Sequence, residues 1–416
     1  MSNRRVRLAD IAELTVGYVG NMAKQYTDTG VKFLRSLNIK PFHIVEDDLK
    51  YISEEFSGSL SKSILHENDL IIVRTGMPGT CCVVPKEYEN CNCADVVIVR
   101  PNLKKVNPHY LAAYINVWGK KQVENNKVGA IQKHFNVKSA EEMLIDLPDL
   151  EQQYKVAKVL TDLNGKIFIN EKINDYLEQQ LQLLYDYWFT QYNFPNEDGQ
   201  PYKASNGLMV WNKMINHLIP ADWKVNPLST ICSFRNGVNY DKNVDGNTIY
   251  KIINVRNISS STLFLDESNF DEICLPKQQG DKYCVSDESI IIARSGIPGA
   301  TRILCNPGSN IIFCGFIICC TPYDDTLQNY LTLYLRQFEG SSATQTGGSI
   351  LKNVSQETLK NLIVPIPPQS LLNQFNDSIL PIYNLINSNT KENVQLITLR
   401  DWLLPMLMNG QATLED

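Results

Sequence analysis

The sequence predicts an α+β chain: two similar mixed α/β domains separated by two long antiparallel coiled-coil helices with pseudo-two-fold symmetry. Three observations carry that prediction. The second half repeats the first at a shift of 219 or 220 residues. Each repeat passes from β-branched runs, punctuated by Gly, Asn and Pro, into a long helical pattern, the first of which has no Pro and a single Gly. Each long stretch places apolar residues at alternating four- and three-residue steps, the seam of a coiled coil.

The repeat runs in order along the chain. Leu8, Ile11 and Gly17 return as Leu228, Ile231 and Gly237, and Asn38-Ile39 as Asn257-Ile258. Ile71-Ile72-Val73-Arg74-Thr75-Gly76-Met77-Pro78-Gly79 returns as Ile291-Ile292-Ala293-Arg294-Ser295-Gly296-Ile297-Pro298-Gly299. Gly129-Ala130-Ile131-Gln132-Lys133 matches Gly348-Ser349-Ile350-Leu351-Lys352, and Leu144–Pro148 matches Ile363–Pro367. Chance does not hold one shift over so many motifs. Ile71–Arg74, Val96–Arg100, Ile290–Arg294 and Ile311–Cys320 read as strands.

After each Pro-terminated exit the pattern turns helical. From Leu150 to about Tyr192 there is no Pro and the only Gly is Gly165; Pro195 stops the helix. Residues 193–222, with Pro195, Gly199, Pro201 and Gly207, read as a linker. The second helix closes at Asn409-Gly410. The boundaries are therefore a first domain at 1–149, a helix at 150–192, the linker, a second domain at 223–368 and a helix at 369–410.

The first seam is Val156, Leu160, Leu163, Ile167, Asn170, Asn174, Leu177, Leu181, Leu184 and Trp188. The second is Phe375, Ile379, Ile382, Ile386, Asn389, Asn393, Leu396, Arg400, Leu403 and Leu407. Antiparallel packing would set Asn170 against Asn393 and Asn174 against Asn389. A polar step in an apolar seam lowers stability but fixes register. The competing reading is a locally wet helix.

Composition removes several classes. Lys+Arg is 39 and Asp+Glu 45, a net charge of −6, which excludes a histone-like or polybasic DNA binder. No apolar run is long enough to span a membrane, and Met1–Ile11 has no apolar secretory core, so a cytoplasmic protein is expected. The 11 cysteines do not resemble a secreted disulfide framework and are expected to act as small buried hydrophobes. Residues 1–149 carry 19 basic and 18 acidic side chains, and 223–368 carry 12 and 13. The acidity therefore lies mostly in the helices and linker, so the helices are not expected to hold DNA. Much of any nonspecific phosphate grip then falls to partners.

Two similar domains on a helical spacer suit two half-sites at a set spacing. The residues resemble those of the DNA specificity subunits of type I restriction–modification systems over essentially the whole chain. Leu8, Asp10, Ile11, Ala12 and Gly17 resemble the start of a target-recognition domain, and the two Arg-Thr/Ser-Gly-x-Pro-Gly stretches its central strand and turn. Gly129–Phe135 and Leu147–Gln153 resemble its exit into a spacer helix. The tract Leu184–Phe189, with Phe194-Pro195 and Gly199–Tyr202, resembles the family's connector, and Leu399–Gly410 its C-terminus. Two departures stand: the second exit, Pro367–Leu371, lacks the acidic-Gln-Gln tail, and Arg400 interrupts an apolar seam.

The resemblance implies two target-recognition domains reading a bipartite, asymmetric double-stranded DNA target. It also implies a non-catalytic scaffold for two adenine methyltransferase (M) subunits and restriction/translocase (R) subunits. S-adenosylmethionine, ATP and Mg²⁺ would belong to those partners, with no cofactor in this chain. No G-x-x-x-x-G-K-[ST] loop, Asn-Pro-Pro-aromatic segment or G-x-G-x-x-G is present.

Candidate DNA-binding residues fall in loop-like sequence. Arg74 and Arg294 suit a phosphate or a guanine edge; the competing reading pairs each with a carboxylate in its own domain. Lys133 and Lys352 follow the Gly-x-Ile step and suit phosphate. Tyr18, Asn21 and Lys24, and Asn239, Tyr240 and Lys242, cluster near the domain starts, with Arg35, Asn38, Arg256 and Asn257 beside a repeated strand. Ordinary polar loops are the alternative.

Cys81-Cys82 and Cys91-x-Cys93 fit zinc spacing poorly; one thiol of each neighbouring pair is expected to be buried. His43, His66, His109, His134 and His217 have no counterparts in the other half and build no triad. Two other readings remain open: a stand-alone nuclease or hydrolase on a duplicated domain, and a two-site binder of another polymer.

Overall fold

The computed structural model describes residues 4–119, 122, 135–240, 246–260, 262–339 and 354–408. The chain divides into two compact units, Met1–Ile169 with Gln395–Asp416, and Asn170–Val394.

In the first unit a four-stranded antiparallel sheet runs in the order Ala12–Val16, Val96–Pro101, Leu70–Val73, Cys81–Val83. Side-chain alternation sends Leu70, Ile72, Val97, Val99 and Cys81 into one core. Ile71, Val73, Val96, Ile98 and Cys82 enter another. Both faces are covered, so the inner strands read as unbroken apolar runs. The first core includes the helix Pro108–Tyr114 and, from the long helices, Val156, Leu160, Leu404 and Leu407. Asn107 caps that short helix, its Oδ1 accepting the N–H groups of His109 and Tyr110 at 2.9 and 3.1 Å. A second sheet, ordered Asn92–Cys93, Val31–Leu34, Lys50–Ile52, Tyr26–Thr27, supplies Leu34 and Cys93 to the second core.

The strand Arg4–Arg7 pairs antiparallel with Leu144–Leu147, joining the start of the chain to the exit toward the first long helix. Arg5 clamps this pair, with Nε and Nη2 donating to the Asp146 carboxylate at 2.8 and 3.2 Å. Tyr114 adds its hydroxyl at 3.2 Å. The hydrogen bonds from Arg5 hold the Asp146 carboxyl below its ordinary range. A lowered folded-state pKa contributes stability above the unfolded value and loses it as pH falls through the folded one. Thermal stability is therefore expected to fall on acidification below about pH 4, with part of that loss missing in Asp146→Asn. Melts at stepped pH check this; identical acid losses in both proteins would refute it.

The second unit repeats the plan. Lys224–Pro227 pairs with Ile363–Ile366, and the main sheet runs Cys232–Asn236, Ile317–Pro322, Ile290–Ala293, Thr301–Ile303. Ile290, Ile292, Ile318 and Cys320 enter one core, and Ile291, Ala293, Ile317 and Cys319 the other. A smaller sheet orders Asp271–Leu275, Thr248–Ile253 and Ile311–Phe313. Here the sequence reading needs correction. Ile311–Cys320 is not one strand but the short strand Ile311–Phe313 and the start of Ile317–Pro322, in different sheets. The chain turns at Cys314–Phe316, where Gly315 N–H donates to Val238 C=O at 2.8 Å and Ile317 N–H to Cys314 C=O at 3.0 Å.

The linker also differs from the reading. Residues 193–222 contain a hairpin, Met209–Asn212 with His217–Pro220. Aromatic stacking orders it: Phe194 lies on Tyr202 with centroids 4.7 Å apart and on Trp223 at 6.0 Å.

The long helices are Leu150–Tyr185 and Gln369–Met408. Asp149 caps the first, Oδ1 accepting Gln152 N–H at 2.9 Å. It leaves through a π turn, Asp186–Thr190, and stops where Tyr192 takes φ 60°. The second continues through Pro381 and Pro405, each of which removes one main-chain donor from the helical ladder. The proposed stop at Asn409-Gly410 lies outside the described residues. No seam residue of either helix is exposed.

Candidate nucleic-acid interface

The two Arg-containing turns share one backbone. Gly76 and Gly79 have φ of 85° and 91°, and Gly296 and Gly299 have 79° and 83°. Left-handed φ at matching positions explains why glycine recurs there. Gly79 N–H closes the first turn onto Val73 C=O at 3.1 Å, and Gly299 N–H the second onto Ala293 C=O at 2.9 Å.

Their arginines are placed differently. Arg74 is half-buried, with Nε donating to Phe135 C=O at 3.2 Å and Nη1 lying 3.7 Å from Asp95. Thr75 also donates to Asp95. This is the in-domain carboxylate pairing weighed against DNA contact, and it holds the Arg74 side chain within its own domain. Arg294 is exposed, and its Nη1 donates to Gly315 C=O at 3.3 Å.

The other candidates separate by burial. Asn38 is fully buried: its Nδ2 donates to Val45 and Asp47 carbonyls at 3.0 and 2.9 Å, and its Oδ1 accepts Arg35 N–H at 3.0 Å. Asn257, also buried, accepts Asn254 N–H at 2.8 Å and donates to Asn269 C=O at 2.8 Å. Both amides are bonded to loop backbone and neither faces solvent. Arg35 pairs with Asp48 at 2.8 Å and Arg256 with Asp271, so these guanidiniums have carboxylate partners in their own domains. Tyr18 packs edge-on against Phe56 at 5.7 Å.

Asn21 and Lys24 stay exposed in the same loop, Asn21 Oδ1 accepting Ala23 N–H at 3.0 Å. In the second domain Asn239 is exposed beside Gly315, and Tyr240 OH lies 3.5 Å from Asn254 Oδ1. The structure thus brings Asn239 and Arg294 together at Gly315. Lys133, Lys242 and Lys352 lie outside the described residues.

The helix-register candidates meet in the second unit. Asn170 Nδ2 donates to Asn393 Oδ1 at 2.9 Å and to Glu392 at 2.7 Å. Asn389 Nδ2 donates to Asn174 Oδ1 at 2.9 Å. In the first unit Arg400 fits its seam by donating to Asn164 Oδ1 at 3.0 Å and lying over the Phe42 ring at 5.2 Å. Asn389→Leu alone strands Asn174 Oδ1 and is expected to cost about 1–3 kcal/mol. Adding Asn174→Leu should recover that loss, because two apolar partners leave nothing unpaired. Thermal melts decide; a double variant less stable than the single would refute the pairing.

Sequence reasoning missed several ties. Gln153, in the exit motif, accepts Asn107 N–H at 2.8 Å and donates to Pro148 C=O at 2.9 Å, fixing the helix start. The acidic-Gln-Gln tail of the first exit, absent from the second, was the available signal. Both thiols of each cysteine pair are buried, correcting the expectation of one. Cys81 and Cys82 enter opposite cores because the sheet is covered twice, while Cys91 and Cys93 share one. Burial pushes Cys91 up to about 11 and Cys81, Cys82 and Cys93 higher. Among the described residues no His, Cys, Asp or Glu group is arranged to hold a metal, and no helix is long and apolar enough to cross a membrane.

The repeated sheet and exit define a duplicated domain, and comparison gives it a class. Residues 3–179 and 220–396 each match the type I restriction modification DNA specificity domain. The chain belongs to that family. It is similar to the type I restriction enzyme MjaIX specificity subunit of Methanocaldococcus jannaschii, 25% identical over 292 residues, 66% of this chain and 62% of that one. It is similar to the HindI specificity subunit of Haemophilus influenzae, 20% identical over 372 residues, 76% and 80% of the two chains. In fold it resembles the S subunit of the M. genitalium type I restriction–modification system, with TM-score 0.51 and 12% identity over 98% of this chain and 99% of that chain.

Proposed function

We propose that this chain is the target-reading subunit of a type I restriction–modification complex, acting in the cytoplasm. Each domain reads one half of a bipartite, asymmetric duplex. The chain performs no catalysis and scaffolds two adenine methyltransferase subunits, joined by restriction/translocase subunits. S-adenosylmethionine, ATP and Mg²⁺ act on those partners. The observation that carries this reading is the double occurrence of the specificity domain in one chain. Exposed Asn21 and Lys24 in the first domain, and Asn239 and Arg294 in the second, have the chemistry for base edges and phosphates.

The test combines this chain with an adenine methyltransferase subunit, S-adenosylmethionine and genomic DNA, then maps methylated adenines. Methylation at one split sequence, only when both proteins are present, supports the reading. DNA cleavage or hydrolysis by this chain alone would replace it with the duplicated-hydrolase reading.

A further inference from the structure

We infer that Arg294 and Phe316 form a DNA-contacting step in the second domain, whose first-domain counterpart, Arg74 with Asp95, neutralises itself. The inference deepens the proposed reading of duplex DNA and rests on it. Strand register fixes the equivalence. Val73 pairs with Val96 in the first sheet, and Ala293 pairs with Ile317 in the second. Arg74 and Arg294 therefore follow matching residues, and Asp95 and Phe316 precede matching residues. One position opposite each turn is a carboxylate in one domain and an aromatic ring in the other.

The consequence is electrostatic. Asp95 sits 3.7 Å from the Arg74 guanidinium, which is 17% exposed, so this pair presents no net positive charge to a phosphate. Arg294 faces no carboxylate at the matching position, and its guanidinium is exposed. Phe316 is 64% exposed, and its carbonyl accepts Arg294 N–H at 3.0 Å, which ties ring and cation to one short step. A single exposed aromatic is ordinary. This one shares its surface with Asn239, whose Oδ1 lies against Gly315. A cation for phosphate or guanine, an amide for adenine and a ring for a thymine methyl or base step thus stand together. Duplex DNA presents all of those groups.

The experiment measures binding of the full chain, with a methyltransferase subunit, to its methylated target duplex across stepped salt. Arg294→Ala is expected to weaken binding roughly tenfold and to make the slope of log affinity against log salt shallower by about 0.9. Arg294→Lys keeps the slope and loses part of the affinity, since the charge remains and the planar fork does not. Phe316→Asp, which copies Asp95, acts like Arg294→Ala. Arg74→Gln combined with Asp95→Asn, which removes both charges of the neutral pair, changes affinity less than about twofold and leaves the slope unaltered. Melting curves confirm that each variant is folded. An unchanged slope in Arg294→Ala, or an equal loss when Arg74→Gln and Asp95→Asn are combined, would overturn the inference. A wild-type complex without target preference would overturn the reading of DNA itself.

Discussion

Replacing Glu178 with alanine is expected to destabilise the second unit by about 3 kcal/mol, at the lower end for breaking a buried ion pair. Glu178 projects from the first long helix and is only 7% exposed. Both carboxylate oxygens accept the Leu263 N–H at 3.0 Å, Thr262 donates its hydroxyl, and Arg336 Nη2 donates at 3.1 Å. One side chain therefore ties the spacer helix to a loop and a helix of the second domain. Alanine removes the acceptor and leaves a buried N–H and a largely buried guanidinium without it, and stranded partners cost more than the lost bonds. Glu178→Gln keeps an acceptor for Leu263 and should cost less. Denaturant titration separates the cases. A Glu178→Ala midpoint equal to wild type, or equal losses in both variants, would show that the tie contributes little. At the repeat position the second helix carries Ile397, so the same tie is not encoded twice.

The fold was legible wherever the physics is periodic or repeated. Two copies of one pattern set the strands Leu70–Val73 and Ile290–Ala293, their glycine turns and the exits into the helices. The four-three seams gave the Asn170–Asn393 and Asn174–Asn389 partners, because an antiparallel seam fixes which steps meet. What failed was the fate of single polar groups. Asn38 and Lys24 look alike in sequence, yet one is buried under a loop and the other lies open. That difference depends on carbonyls at Val45 and Asp47 aimed inward by the fold. Glu178 was missed for the same reason, since its partners lie 84 to 158 residues away. The strand run Ile311–Cys320 misled because composition does not show the turn at Gly315. The first repeat did carry a hint, since Asp95 breaks the matching apolar run.

Phe189→Ala is expected to cost about 3–5 kcal/mol, as large-to-small changes of buried aromatics do. Phe189 stands on the π turn that ends the first helix and is buried. Its ring meets Phe375 of the second helix at 4.7 Å and Tyr330 at 4.9 Å, both nearly edge-on. Trp223, which opens the second domain, lies at 6.0 Å, and Tyr185 at 5.3 Å. Edge-to-face pairs add about 0.5–1.5 kcal/mol each beyond burial, so a cavity here forfeits contacts to four neighbours at once. These neighbours belong to the first helix, the second helix, the helix Gln328–Arg336 and the domain entry. Phe189→Leu fills most of the volume without the ring and should recover more than half of the loss. Thermal and denaturant unfolding test this, and methylation by the reconstituted complex reads its consequence. If the ring serves only as filler, leucine restores stability completely. If edge-on geometry matters, leucine stays measurably below wild type, and the Phe189→Leu, Phe375→Leu double variant loses less than the sum of the two single losses, because one shared contact cannot be removed twice.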